Sequence, residues 1–391
     1  MRRVGMGLVG PGFVAAHHID AVRRLGFVDV VAMVGSDLAR TRARAAELGV
    51  TRVYGTVDEL VADPEIDVVH NTTPNYLHGS VIRAAIARGK HVVSEKPLAV
   101  SAAEAHELWL AAEQAGVVHA VTFNYRGNPL VQQAREMIAA GEIGRPHFVH
   151  GAYLQDWLLK PSDFSWRLEP EKGGASSAFA DIGSHWCDLA QHVTGQRIVA
   201  VLADCATIVP MRRRPSTARA AFSDGSAADG DAYPVTSEDL ATILVRFDGG
   251  ARGVVSVGQV CAGHKNDLWL EVNGSTSSLR WRQEQQNELW VGRRDEANIA
   301  LAKDPALLTP AAARYAHLPG GHQEAWADAF TNVMRDIYAC IMNRGAARPP
   351  AMATFEDGYR VAGLVEAVLE SHARGGVWTS VRMSEMIGGR R

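Results

Sequence analysis

A glycine-rich turn between an apolar strand and a helix, at the very start of the chain, limits the possible fold more than any other feature. Residues Val4 to Gly10 predict a short buried strand, and Gly10-x-Gly12-x-x-Ala15 opens the helix that follows. Such a turn lets the backbone approach a pyrophosphate, and the free N–H groups of the helix N-terminus favour negative charge. Because the motif follows a strand and precedes a helix, we expect a dinucleotide-binding α/β sheet.

The rest of the first third of the chain continues this architecture. Short apolar strands and helical segments alternate as far as residue 123, which predicts parallel strands with helices on both faces. We therefore expect a doubly wound Rossmann domain over residues 1–124.

Beyond residue 124 the pattern changes to long segments in which apolar and polar residues alternate. This alternation predicts an α+β domain over residues 125–391, built on a large, open, mostly antiparallel sheet. Residues 210–234 are poor in apolar side chains and are predicted to be a long surface loop, with the basic run Arg212-Arg213-Arg214 in solvent. Residues 322–344 and 355–373 are predicted to be helices, and the second could return to the first domain.

Composition and charge exclude several classes of function. The chain has 391 residues, 47% of them apolar, and a net charge of -3, without the concentrated positive charge that nucleic acid requires. The four cysteines are far apart and form no zinc-site spacing, so we expect no metal and a reducing compartment. The sequence has neither an apolar stretch long enough to span a membrane nor a signal-peptide pattern, which predicts a cytoplasmic protein.

The end of the second strand bears on the choice between NAD and NADP. An acidic residue that holds the ribose 2′-hydroxyl is expected there, but the sequence has Gly35, followed by Ser36 and Asp37. Asp37 could bind the ribose, or it could cap the helix that begins at Leu38. Ser36 and Arg40 could instead meet a 2′-phosphate. We favour NAD, because no arginine directly follows the strand, and NADP stays open.

The tripeptide Glu95-Lys96-Pro97 follows a later strand, His91 to Ser94, of the same sheet. The carboxyl ends of such strands hold ligands, so a lysine there could touch both a cofactor and the molecule that reacts with it. The alternative is a surface turn in which Glu95 and Lys96 form an ion pair.

Asp181 and His185 lie four residues apart and would share one face of a helix. A carboxylate beside an imidazole raises the basicity of the ring and fixes its tautomer. Oxidation of an alcohol needs a base for the hydroxyl proton, and Lys96 could polarise the oxygen. The alternative is a helix-start aspartate beside a histidine with a structural role.

Taken together, these motifs resemble the Gfo/Idh/MocA oxidoreductase family, named after glucose–fructose oxidoreductase and inositol dehydrogenase. The resemblance runs nearly from end to end and rests on the glycine turn and four further segments. These are Thr73-Pro74-Asn75 with His78, Gly89-Lys90-His91-Val92 through Glu95-Lys96-Pro97-Leu98, Asp181-Ile182-Gly183-Ser184-His185, and Phe355-Glu356-Asp357-Gly358.

The resemblance implies a catalytic set of Lys96, Asp181 and His185, with His185 as general base or acid, and an NAD cofactor. Phe123 to Arg126 and Gly151 to Trp157 look like the branch of the family that acts on sugars, such as levoglucosan dehydrogenases. The expected cofactor-binding residues are Gly10, Gly12, Phe13, Val14, Ser36, Asp37, Arg40, Thr73, Pro74, Asn75, His78, Glu95 and Lys96.

A polyol pocket needs groups that bind hydroxyls and a flat apolar wall. The loops before Asp181, together with one later histidine, offer such residues, each of which could equally serve in packing. The substrate-binding candidates beside the catalytic set are Tyr125, Arg126, Gln155, Trp157, Trp166, Arg167 and His322.

The sequence thus predicts an NAD(P)-dependent dehydrogenase of a sugar, anhydrosugar or inositol, acting as a homodimer or homotetramer. Two alternatives stay open: a glycosidase that oxidises its sugar transiently with bound NAD, and a sugar sensor without catalysis.

Overall fold

A computed structural model describes residues 3–215, 230–343, 345 and 347–383. Its first sheet has six parallel strands in the order β3-β2-β1-β4-β5-β6, as the alternating pattern predicts. The strands are β1 (Val4–Val9), β2 (Val28–Val34), β3 (Arg52–Tyr54), β4 (Val68–Asn71), β5 (His91–Ser94) and β6 (His119–Val121). The helices that connect them are α1 (Phe13–Arg23), α2 (Leu38–Glu47), α3 (Val57–Ala62), α4 (His78–Ala87) and α5 (Ala102–Ala115).

Local side-chain chemistry sets the ends of several of these helices. Thr56 caps α3 in a reciprocal arrangement with Glu59, and the Ser101 hydroxyl accepts a hydrogen bond from the Glu104 N–H at the start of α5. Helix α5 ends at Gly116, whose φ of 62° lies in the left-handed region that glycine adopts without strain. The positions of the parallel strands, and of the loops after them, therefore follow from the sequence.

The second sheet has nine strands in the order β16-β15-β14-β13-β7-β12-β11-β8-β17. Neighbouring strands are antiparallel, except for the parallel pair β7 and β12. Burial alternates strictly along β11, as expected for a sheet with one covered face. The strands are β7 (Pro146–Leu154), β8 (Ile198–Ala206), β11 (Leu240–Phe247), β12 (Arg252–Gly258), β13 (Asp267–Gly274), β14 (Ser277–Arg282), β15 (Glu288–Arg293), β16 (Ile299–Ala302) and β17 (Thr379–Ser380).

The segment predicted as a surface loop is partly a hairpin. Strands β9 (Met211–Arg214) and β10 (Asp231–Pro234) pair with each other, and residues 216–229 lie outside the described part. The basic run is not wholly in solvent, because Arg212 is fully buried and pairs with Asp239 at 2.7 Å. Its guanidinium also donates to three backbone carbonyls, so a buried charge is paired and hydrogen-bonded here.

The remaining helices cover the inner face of the second sheet and join the two sheets. They are α6 (Pro129–Ala139), α7 (Pro170–Gly173), α8 (Ser184–Thr194), α9 (Pro310–Ala313), α10 (Trp326–Met342) and α11 (Phe355–Ala373). Helix α10 begins at Trp326, four residues later than predicted, and packs against α1. Helix α11 packs against both α5 and β8, and the division of the chain at residue 124 stays a prediction.

None of the helices in the described ranges combines the length and the apolar character that crossing a membrane would require.

Candidate active site

The site lies at the carboxyl edge of the parallel sheet. The glycine turn follows β1, the Thr73-Pro74 turn follows β4, and Lys96 lies just beyond the end of β5. A five-residue π-helical turn, Phe179–Gly183, precedes α8 and brings Asp181 to Lys96. Wide helical turns of this kind are frequent at functional sites. The long-range contact predicted between the β5 lysine and the Asp181 segment is therefore present.

Lys96 and Asp181 form a tight ion pair. The Lys96 Nζ lies 2.6 Å from Asp181 Oδ1 and 2.8 Å from the Asp181 carbonyl oxygen. Arg167 Nε approaches the same carboxylate oxygen at 3.2 Å, and the Gln259 amide donates to Oδ2 at 2.8 Å. Burial would raise the pKa of Asp181, but the charges of Lys96 and Arg167 outweigh it and hold the pKa well below its usual range. The carboxylate stays ionised and fixes the lysine ammonium in place.

His185 is a buried, neutral imidazole beside this pair. Burial lowers the pKa of His185 to about 3, and the Lys96 charge adds to that shift, while Asp181 opposes it. Asp181 raises the pKa of His185, as predicted, but burial and the Lys96 charge lower it by more, so the net shift is downward. The Nδ1 atom of His185 has no hydrogen-bond partner within the described residues. The ring packs edge-on against Tyr125, with 5.1 Å between ring centres.

A hydrogen-bonded group of side chains forms the wall behind His185. The hydroxyls of Tyr125 and Tyr153 lie 2.7 Å apart, and Tyr153 donates to Asn266 Oδ1 at 2.6 Å. Gln155 donates to the same Asn266 oxygen and accepts from Trp157 Nε1 at 3.0 Å. Three predicted substrate residues thus lie in one network. Since their polar groups are mutually satisfied, the network supplies a rigid amphipathic surface.

The remaining aromatic candidate lies beside Arg167. The guanidinium of Arg167 stacks over the ring of Trp166 at 4.6 Å, while its Nε contacts Asp181. Both side chains are half-buried, so they lie at the rim of the lysine–aspartate pair.

The glycine turn fits a dinucleotide. Gly10 has a φ of +99°, and a Cβ atom there would lie 2.7 Å from the backbone of Thr72. A Cβ at Gly12 would meet nothing within 4 Å, and no side chain caps the N-terminus of α1. Ala15 is fully buried, whereas Phe13 is exposed and Val14 half-buried at the mouth of the turn. Open space in front of free helical N–H groups is what a pyrophosphate needs.

The absence of an acid at position 35 has a steric cause. A Cβ on Gly35 would lie 2.3 Å from Thr41 Oγ1 and 2.8 Å from the Pro11 ring, so no aspartate fits there. Asp37 caps α2 by accepting from the Arg40 N–H at 2.8 Å, as one of the two sequence interpretations predicts. Its second oxygen and the side chains of Ser36 and Arg40 are exposed beside the turn.

Two predicted cofactor residues, His78 and Asn75, already form hydrogen bonds with other parts of the protein. Both ring nitrogens of His78 face backbone carbonyls, Pro97 at 2.7 Å and Thr73 at 2.9 Å, in a fully buried position. The Asn75 amide donates to the Gly173 carbonyl at 3.0 Å. These hydrogen bonds give His78 and Asn75 a structural role, and their direct contact with a cofactor stays a prediction. They fix the turns, while Thr73 and Pro74 remain half-buried at the edge.

Two substrate candidates lie apart from the lysine–aspartate pair. Arg126 is buried and holds Asp188 with two hydrogen bonds, of 2.8 and 2.5 Å, and also contacts Asp357. Arg126 forms a structural ion pair, and direct binding of substrate by this residue stays a prediction. His322 is exposed in a turn before α10, and its ring contacts only the Gly320 carbonyl among the described residues.

Gln259, Tyr153 and Asn266 belong to the site but were not singled out from the sequence as site residues. Tyr153 and Asn266 lie on or beside adjacent strands of the large sheet, β7 and β13, and Gln259 follows β12. Only strand pairing brings them together, so neighbouring sequence gives no signal for them.

Within the described ranges, no group of three or more His, Cys, Asp or Glu side chains could hold a metal ion. A fixed ammonium, a neutral imidazole and a rigid aromatic wall can bind a polyol, polarise one of its oxygens and accept a proton.

Comparison with known proteins agrees with this arrangement. Residues 4–123 match the oxidoreductase family with an NAD-binding Rossmann fold, and residues 131–280 match the GFO/IDH/MocA C-terminal domain. Levoglucosan dehydrogenase from Pseudarthrobacter phenanthrenivorans is 31% identical over 96% of this chain and 97% of its own. The structure of a levoglucosan dehydrogenase with NADH and levoglucosan is 28% identical and superimposes with a TM-score of 0.87, over 97% of this chain and all of the other. An inositol dehydrogenase homologue from Azotobacter vinelandii in complex with NAD+ is 28% identical, with a TM-score of 0.83 and 97% of both chains covered.

Proposed function

Because the chain belongs to the Gfo/Idh/MocA family of NAD-binding oxidoreductases, we propose that it oxidises one ring carbinol of a sugar, anhydrosugar or inositol. The observation that carries this proposal is the Lys96 ammonium, held by Asp181 beside a neutral His185 at the edge of the NAD-binding sheet. The sugar-oxidising enzymes among the relatives support the substrate class. The identity of the sugar and the carbon that is oxidised belong to the proposal.

In this proposal Lys96 binds the reacting oxygen and stabilises negative charge as it develops there. Asp181 keeps the ammonium charged and oriented, and Gln259 and Arg167 fix the carboxylate. His185 is neutral near pH 7 because burial lowers its pKa to about 3, so in this proposal its unpartnered Nδ1 is the atom that meets the substrate hydroxyl. Bound NAD supplies the acceptor for the hydride.

The substrate lies, in our proposal, between His185 and the wall formed by Tyr125, Gln155 and Trp157. Aromatic faces suit the apolar C–H face of a sugar ring, and polar edges at Arg167 and Trp166 suit its hydroxyls. Cofactor contacts are proposed for the glycine turn and for the Thr73-Pro74 turn, with Asp37 as the ribose ligand.

A redox-neutral glycosidase would use the same residues, and we retain it as the second candidate from the sequence. The test is absorbance at the reduced-nicotinamide band, with NAD or NADP and a panel of inositols, aldoses, anhydrosugars and aryl glycosides. We expect reduced cofactor to accumulate with at least one free sugar. Aglycone release that depends on NAD, without accumulation of NADH, would instead establish the glycosidase, and sugar binding without either signal would establish a sensor.

We also propose that the chain forms a homodimer or homotetramer through the outer face of the nine-stranded sheet. Three large apolar side chains on that face are exposed, Phe148, Val199 and Leu244. Large apolar side chains exposed on a sheet face are the feature that supports an interface there. Light scattering should give a multiple of the chain mass, reduced by Leu244→Glu and unaffected by Leu307→Glu, an exposed leucine away from the sheet. A wild-type monomer at micromolar concentration would refute this assembly.

The cytoplasm is the proposed location, and the four cysteines are all free thiols, as a reducing compartment predicts.

A further inference from the structure

A chain of buried hydrogen bonds leads from the catalytic edge into the interior. Glu95, the residue before Lys96, accepts a hydrogen bond from Thr122 Oγ1, and its Oε1 lies 3.0 Å from His18 Nε2. His18 Nδ1 lies 2.8 Å from His70 Nδ1, and His70 Nε2 lies 3.1 Å from the Tyr338 hydroxyl. His18, His70 and Tyr338 lie in α1, β4 and α10 and are fully buried, whereas Glu95 and Thr122 follow β5 and β6.

The chemistry of the partners restricts where the protons can be. A carboxylate only accepts, so His18 must carry a proton on Nε2. If His18 is neutral, its Nδ1 accepts from His70 Nδ1–H, and His70 Nε2 accepts from the Tyr338 hydroxyl. If His18 gains a second proton, its Nδ1–H donates to His70, and His70 Nε2–H then donates to the Tyr338 oxygen. Every ring nitrogen keeps a partner in both states, because a hydroxyl can either donate or accept.

Of the two ends of this series of hydrogen bonds, only the Glu95 end is exposed toward the site. The Glu95 side chain keeps 15% of its surface exposed, whereas the side chain of His18 has none. Lys96 lies within electrostatic range of Glu95. An extra proton in this series of hydrogen bonds would therefore change the electrostatic environment of Lys96, because it offsets the negative charge of Glu95.

Other charged and titratable groups that face the chain are few. His17 lies next to His18 on α1, and Phe330 on α10 packs edge-on against His18 at 5.0 Å. Asp67 acts on Tyr338 from the opposite end, while Glu95 also acts on His78 and His185. Burial keeps the pKa values of His17, His70, His78 and His185 below their usual range.

Oxidation of an alcohol changes the charge next to this chain. The C–H bond breaks with both electrons going to the nicotinamide ring, the O–H bond breaks with loss of a proton, and a carbonyl forms. The ring passes from a cation to a neutral group, and one proton is left over. If Lys96 polarises the alcohol, the ring must lie beside it, so the Glu95 carboxylate loses a neighbouring positive charge. A proton taken up by the hydrogen-bonded chain would restore that charge.

We propose that Glu95, His18, His70 and Tyr338 form a proton-holding chain that takes up one proton when reduced cofactor replaces oxidised cofactor. The proposal rests on the proposed function, since it assumes that the nicotinamide ring lies at Lys96. It assigns a role to two buried histidines that the proposed mechanism does not use.

The test is calorimetric titration of the protein with NAD and, separately, with NADH at pH 7, in two buffers that differ in ionisation enthalpy. The dependence of the binding heat on the buffer gives the number of protons taken up. We expect NADH binding to take up more protons than NAD binding, by up to one per chain. Glu95→Gln keeps an acceptor for His18 and Thr122 but removes the charge, so the difference should disappear. The same titrations give the dissociation constants of both cofactors.

Glu113→Gln is the matched control, because Glu113 forms the same kind of carboxylate–imidazole pair with His119, at 3.1 Å, in the same sheet layer. It should leave the difference unchanged. Equal proton uptake for NAD and NADH in the wild type would overturn the proposal, as would a difference that survives in Glu95→Gln. A protein that binds neither cofactor would refute the proposed function itself.

Discussion

Replacement of Lys96 by methionine tests the proposed site most directly. Methionine keeps the length of the side chain but removes the ammonium, which makes hydrogen bonds of 2.6 and 2.8 Å to Asp181. Removal of one preorganised group that stabilises developing negative charge typically lowers kcat by about 10²–10³. Asp181 would keep Gln259 and Arg167 as partners, so we expect roughly 1–3 kcal/mol of destabilisation rather than unfolding.

The assay is the initial rate of NADH formation with the sugar found in the screen, together with the dissociation constant for NAD and a urea unfolding curve. NAD should still bind, because the turn that faces the phosphates is untouched. Lys303→Met is a control, since Lys303 forms an equally short buried pair with Glu324, at 2.6 Å, away from the site. It should destabilise the protein and leave kcat unchanged. A Lys96→Met variant that keeps kcat within about tenfold of the wild type would refute the reasoning.

Three further predictions concern His185, Arg126 and Asp37. Burial lowers the pKa of His185 from 6.5 to about 3, so as the pH falls the unfolded chain takes up this proton before the folded protein does, and the stability of the fold should decrease between about pH 6.5 and pH 3. His185→Phe should flatten this part of the Tm-versus-pH curve. An unchanged slope would contradict the assignment. Arg126→Met leaves Asp188 buried without its partner and should lower the free energy of unfolding, measured in urea, by about 3–5 kcal/mol. A selective rise in KM for anionic sugars at unchanged stability would instead support direct substrate binding. Asp37→Asn keeps a good helix cap but removes the charge, so it should weaken NAD binding and raise the NADP-to-NAD affinity ratio; an unchanged ratio would show that Asp37 is only a cap.

The parallel sheet was predictable because its signals are local. The apolar run before Gly10, the cap at Ser101 and the glycine at the end of α5 each act within a few residues, and the observed bounds of β5 and the start of α2 at Leu38 agree with the predicted ones. The pairing of Lys96 with Asp181 was predictable for another reason. Strand order places the end of β5 at the ligand edge, and the family resemblance points to the Asp181 segment.

The features that the sequence does not reveal depend on neighbours far away in sequence. Arg212 looks like one of three solvated arginines, and only its pairing with Asp239 shows that it is buried. His78 belongs to a motif that predicts a cofactor contact, but its two ring nitrogens face backbone carbonyls from separate turns. The basicity of His185 depends on burial beneath aromatic rings, and the sequence spacing to Asp181 reveals only the weaker, opposing effect.

The buried Arg212 also has a consequence for protein engineering. Its guanidinium donates to the carbonyls of Leu158, Lys160 and Asp163, so strand β9 is bonded to the loop that leads to Trp166 and Arg167. A specificity loop grafted from a relative without this hairpin would change these three carbonyl contacts and leave Arg212 with Asp239 as its side-chain partner. The loop and the hairpin should therefore be exchanged as one cassette when new sugar preferences are sought.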